Sequence, residues 1–127
     1  VIEMAMWASE PVPFDTMERA LHAAYAKQTD KDERAHFRMI HEYPLSGHQP
    51  VMTHVLEDGT GRRIVAVKGA PEALAVRAAF TAAEQQQWRT VLNQFTEQGF
   101  RVLGVATGSF DGSDFREDQS QLPIEVL

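Results

Sequence analysis

Cysteine is absent from the 127 residues, so neither a disulfide nor a thiolate-held metal can form, which is compatible with a cytosolic setting. No apolar run approaches the ~18 residues that a membrane span needs, and the chain reads as soluble. Lysine is scarce, with only Lys27, Lys31 and Lys68. At a net charge of −6 no basic stripe is available to displace counterions from a phosphate backbone, which excludes a general nucleic-acid binder. Several catalytic signatures are missing as well. Gly59 and Gly61 do not extend to a dinucleotide fingerprint, no Gly-Lys-Ser/Thr loop occurs, and Ser46, Ser109 and Ser113 lack a nucleophile-elbow context. No catalytic residue is therefore expected. His36, His41, His48 and His54 fall in one region, but their spacing is no recognised ligand pattern, so no metal site is expected either.

What is present fits one globular domain. With 43% hydrophobic and 24% charged residues, a chain of this length buries roughly two-thirds of the surface its unfolded form exposes, around one core. Residues 1–9 suit a helix with Ile2, Ala5 and Met6 on one side, interrupted by Pro11 and Pro13. Asp15 with Glu18 three residues on resembles a capping box, and Met17, Ala20, Leu21, Ala24 and Tyr25 then recur as a core face. Residues 36–43 and 51–57 read as strands, interrupted by Pro44, Gly47 and Pro50. Asp58-Gly59-Thr60-Gly61 supplies the turn of a hairpin to a further strand over 62–67. A short helix starts at Pro71. Thr81 and Glu84 open a longer one with a Trp88, Val91, Leu92 and Phe95 stripe, which Gly99 ends. A strand over 100–107 and a loop over 108–121 follow.

Lys68-Gly69-Ala70-Pro71-Glu72 places a lone lysine where a strand stops and a helix begins. Pro71 suits the first helical position and Glu72 complements the positive helix end, while Gly69 leaves room for a ligand to approach the backbone. A lysine at such an edge can meet an anion, and phosphate is the obvious one. Strand alternation puts Lys68 on one face with Ala66 and Ile64, and Arg101 with Leu103; Tyr43 and Leu45 share a face if the chain stays extended through Pro44. These side chains are expected to converge on one pocket.

The same five residues resemble the signature of the nucleotide-binding domain of P-type cation-transporting ATPases. Three further segments agree in order: residues 14–21 resemble the family's acidic helix start, Glu42-Tyr43-Pro44-Leu45-Ser46 its adenine-side loop, and residues 101–106 its closing strand. The resemblance implies an α+β fold, a twisted antiparallel β-sheet flanked by helices. It implies that residues 1–127 are a single nucleotide-binding domain excised from a larger membrane pump. ATP is the implied ligand, with Mg2+ bound mainly through a phosphorylation domain that lies elsewhere. By resemblance Lys68 and Gly69 line the phosphate-bearing end, Glu18 accepts from the adenine amino group, Tyr43 and Leu45 flank the base, and Arg101 and Leu103 hold phosphate or ribose and the nucleoside. Leu45 and Pro50 stand where the family pattern has phenylalanine and lysine. The absence of a His-Pro pair departs from the heavy-metal branch and favours the calcium- or proton-pump branches. The implied setting is the cytoplasmic face of a membrane, with the phosphorylation and actuator domains as partners. The isolated domain is expected to be monomeric and to bind nucleotide without turnover. A noncatalytic protein-interaction module is the alternative.

Overall fold

Capping residues and prolines divide the chain much as their chemistry dictates. In the computed structural model, which describes residues 1–46 and 48–127, helix α1 spans Ile2–Trp7 and helix α2 spans Thr16–Gln28. Gly47, one of the expected strand interruptions, lies outside the described residues. Strands β1 (Phe37–Tyr43), β2 (Val51–Asp58) and β3 (Arg63–Gly69) follow, then helices α3 (Pro71–Arg77) and α4 (Ala82–Glu97). Strand β4 (Gly104–Gly108), a 3-10 turn at Gln119–Gln121 and strand β5 (Ile124–Val126) complete the described elements. All neighbouring strands are antiparallel, in the order β1-β2-β3-β4-β5. The expected α+β architecture is present.

Strand alternation sorts the core onto the two faces of this sheet. Ala66 of β3 and Leu56 of β2 pack against Met6, Trp7 and Tyr25 of the first two helices. On the opposite face Val67 meets Val51, Leu74 of α3 and Ala106 of β4, and Val65 meets Tyr43, Val55 and Leu122. Fully burying a side chain such as Met6 or Leu74 contributes ~1.5–3 kcal/mol, so both helical layers are anchored by apolar burial.

Local chemistry explains where α4 starts and stops. The Thr81 hydroxyl accepts from the Glu84 N–H and the Glu84 carboxylate accepts from the Thr81 N–H, the reciprocal capping box expected there. At the far end Gly99 takes φ +85°, donating to the Thr96 carbonyl while Phe100 donates to that of Phe95. Phe95 and Phe100 then meet edge to face at 6.3 Å. Only Leu92 of the expected α4 stripe is buried; Val91 and Phe95 stay exposed.

Three expectations are corrected. In α2 the buried positions are Glu18 and Tyr25, while Met17 is exposed, because the inward face is set by an ion pair rather than by the apolar residues alone. The last long strand begins at Gly104, so residues 100–103 form an irregular approach to it. β5 was not expected; with three residues, a preceding proline and Glu125 in its middle, it has too little pattern to show alternation.

Candidate functional site

β3 carries Lys68 into the end of the sheet where that strand gives way to α3. Ile64, Ala66 and Lys68 do share a face, the one covered by α1 and α2. Lys68 is only 6% exposed, and its Nζ donates to Glu18 Oε1 at 2.6 Å and to Ser9 Oγ at 2.9 Å. Asp15 caps α2 by accepting from the Glu18 N–H at 2.8 Å. The Glu18 side chain does not return to the cap, as a full capping box would require, but turns inward to the lysine. The charge of Lys68 is thus matched inside the fold by Glu18.

The pair is not saturated. Glu18 is 4% exposed, yet its Oε2 has no hydrogen-bond partner among the described residues. An ammonium has three N–H groups, of which the protein engages two. One acceptor and one donor thus remain side by side.

They lie at a cleft of about 680 Å³. Its apolar wall includes Leu45, Met52, Leu103 and Phe100, and Arg101 lines it as an exposed guanidinium. Six of the seven expected residues, Glu18, Leu45, Lys68, Gly69, Arg101 and Leu103, line this one cleft. Leu45 sits at the lip with 61% of its surface exposed. Pro50, in the family pattern's lysine position, also lines it.

Tyr43 is the exception. It pairs with Thr53, and Thr53 with Val67, so Tyr43 stands one residue out of phase with Lys68 and projects from the other face. There it packs with Val55, Val65 and Leu122, and burial pushes its hydroxyl pKa up, with the carboxylates of Glu117, Asp114 and Asp118 acting in the same sense. It is a core residue of that face.

Gly69 is also required by packing within the sheet. A Cβ there would lie 2.3 Å from the Pro50 carbonyl oxygen and 2.7 Å from Val51 Cα. The start of β2 makes this close approach, while Gly69 also lines the cleft.

Two neighbours of Lys68 escaped the sequence reading. Met52 is the cross-strand partner of Lys68, which counting outward from the hairpin turn would have found. Ser9, in the segment leaving α1, carries no local signal of its contact with a lysine 59 residues away. The histidines do not converge: His41 stacks on Phe115 at 4.5 Å, and His54 is buried on the opposite face.

Comparison with known families gives one match over most of the chain. The family described as P-type ATPase, cytoplasmic domain N, matches residues 14–126.

Proposed function

Because this chain belongs to the P-type ATPase cytoplasmic domain N family, we propose that its cleft binds ATP and presents the γ-phosphate to an aspartate in a separate phosphorylation domain. The observation that carries this reading is the unfilled acceptor and donor of the Glu18–Lys68 pair, set beside an apolar wall in a cleft of ligand size. An aminopurine offers the complement, an exocyclic N–H donor next to a ring-nitrogen acceptor. The base is read at the buried end and held against Leu45, Met52 and Leu103. The phosphates extend toward Arg101, whose guanidinium is exposed and suited to phosphate oxygens.

On this reading residues 1–127 act as one nucleotide-binding unit of a larger ion-translocating ATPase on the cytoplasmic face of a membrane, with the phosphorylation and actuator domains as its partners. No helix of the described residues is long and apolar enough to cross a membrane. The unit contributes position: it fixes adenosine so that domain closure converts binding into in-line phosphoryl transfer. Glu18 is committed to Lys68, so no Mg2+ ligand is assigned to it, and the Mg2+ that shields the phosphates is left to the partner domain.

NMR titration with adenosine and with ATP tests the assignment. Saturable shifts at Glu18, Lys68 and Arg101 with both ligands support it; shifts that arise only with a protein partner would favour an interaction module instead. Arg101→Ala is expected to weaken ATP by about tenfold and leave adenosine nearly unchanged, because a charge-assisted hydrogen bond to phosphate is lost. Equal weakening of both ligands would remove the phosphate role. Leu45→Phe is expected to tighten adenosine, since stacking on a base contributes ~1–3 kcal/mol. Calorimetry showing no gain in a folded variant would place the base away from the lip.

A further inference from the structure

The chain leaving α1 passes over His54 of β2, which is completely buried. His54 Nδ1 lies 3.1 Å from the Trp7 carbonyl oxygen. A carbonyl only accepts, so Nδ1 carries the proton and, in the neutral ring, Nε2 is left as a lone pair. That atom has no hydrogen-bond partner among the described residues, although it is shut away from solvent. Its surroundings are acidic. Glu42, the cross-strand partner of His54 on β1, brings Oε1 to 3.7 Å from Nε2. Glu10 supplies a second carboxylate, and one ligand atom from each of the three residues lies within 4.8 Å of the others.

We propose that Glu10, Glu42 and His54 form a binding site for a divalent first-row transition ion of the zinc type, held by one imidazole nitrogen and two carboxylate oxygens, with water completing the shell. Two carboxylates balance the ion's charge, and a neutral imidazole adds none. Ligand atoms ~2.0–2.2 Å from a tetrahedral ion are ~3.4 Å apart, so the 3.7 Å separation closes by only a few tenths of an ångström. The imidazole selects a transition ion over Mg2+ or Ca2+, which take oxygen ligands. The Trp7 carbonyl plays the supporting part usual at such sites, fixing the ring's tautomer and direction.

The Glu10 arm is also anchored. His22 Nδ1 lies 3.2 Å from an Arg34 guanidinium nitrogen, which can only donate, so His22 Nε2 bears its proton and donates to the Glu10 carbonyl oxygen at 3.0 Å. The Glu10 backbone is held while its carboxylate is left to bind. Glu10 and Glu42 are half-buried, which gives an ion a path from solvent. None of the three ligands lines the cleft, so the site stands or falls independently of ATP binding.

The same atoms have a competing use, a doubly protonated His54 paired with Glu42, and the experiment separates the two. Zn2+ is titrated calorimetrically into the 127-residue chain and into Glu10→Gln and Glu42→Gln, whose half-buried positions tolerate an isosteric amide. Thermal melts are run with and without saturating Zn2+. Expected are one tight equivalent for the unaltered chain with a raised Tm, and at least about tenfold weaker binding with no rise in Tm for each variant. Binding undiminished in both variants would put the ion on exposed histidines such as His36 and His48 and overturn the proposal. No uptake at all, or long-range 1H–15N spectra showing His54 doubly protonated at neutral pH, would overturn it equally.

Discussion

Lys68→Met is expected to lower the stability of the ligand-free domain by ~3–5 kcal/mol, a large share of the ~5–15 kcal/mol that a domain of this size possesses. The reason is the neighbour left behind. With the ammonium gone, Glu18 is 4% exposed with neither carboxylate oxygen partnered by charge, and it must either stay ionised without compensation or take up a proton. Glu18→Leu should be costly for the mirror-image reason, stranding a buried ammonium whose remaining protein contact is Ser9 Oγ. The double variant should recover most of the loss, because replacing a whole buried pair by apolar groups is far cheaper than breaking it. Urea denaturation of the four proteins gives the coupling directly. Additive single effects would mean that the two charges do not stabilise one another. The same variants bear on function: if base recognition rests on this pair, Lys68→Met weakens adenosine and ATP to the same degree, whereas loss confined to ATP would restore the lysine to the phosphates.

Gly69→Ala is expected to be nearly as damaging without touching any charge. The added Cβ would meet the Pro50 carbonyl oxygen at 2.3 Å and Val51 Cα at 2.7 Å, both backbone atoms of the adjoining strand that cannot swing aside. Overpacking costs ~1–3 kcal/mol where neighbours can shift, and the upper end or beyond applies here. The Ala70 N–H donates to the same Pro50 carbonyl at 2.8 Å, so relieving the clash pulls on the strand-to-helix turn that forms one wall of the cleft. Gly59 provides the control, since no atom lies within 4 Å of a Cβ built there. Thermal melts should show Gly69→Ala several degrees below Gly59→Ala; coincident melts would mean that β2 yields more readily than its geometry implies.

The sheet and its flanking helices were readable because their signals are local: Asp15 and Thr81 as caps, Gly99 as a stop, the Asp58–Gly61 turn between alternating runs. The cleft was readable in its membership. What failed was phase. Sharing a face between Tyr43 and Leu45 required an extended chain through Pro44, but β1 ends at Tyr43 and its register ties it to Val67, one position off Lys68. Arg101 and Leu103 reach the cleft from an irregular segment rather than a strand, so they arrived at the expected place for a reason alternation does not supply. The state of Lys68 was invisible for another cause. A sequence shows that a cation is present but not whether a carboxylate 50 residues away has already claimed it. His54 with Glu10 and Glu42 belongs to the same class, since histidine spacing alone contains neither acid.

Every strand of this sheet hydrogen-bonds to the next one along the chain, but only β1-β2 and β2-β3 are joined by short turns, since residues 70–103 with α3 and α4 lie between β3 and β4. The cleft spans greater separations: Glu18 and Lys68 lie 50 residues apart in the chain, and Arg101 joins them from beyond α4. A transient opening that lifts α2 would separate Glu18 from Lys68 while leaving the strands paired, and with that contact would go the proposed seat of the nucleotide. Amide exchange in the first turn of α2 should slow when ligand is added, even where β2 and β3 amides are already fully protected.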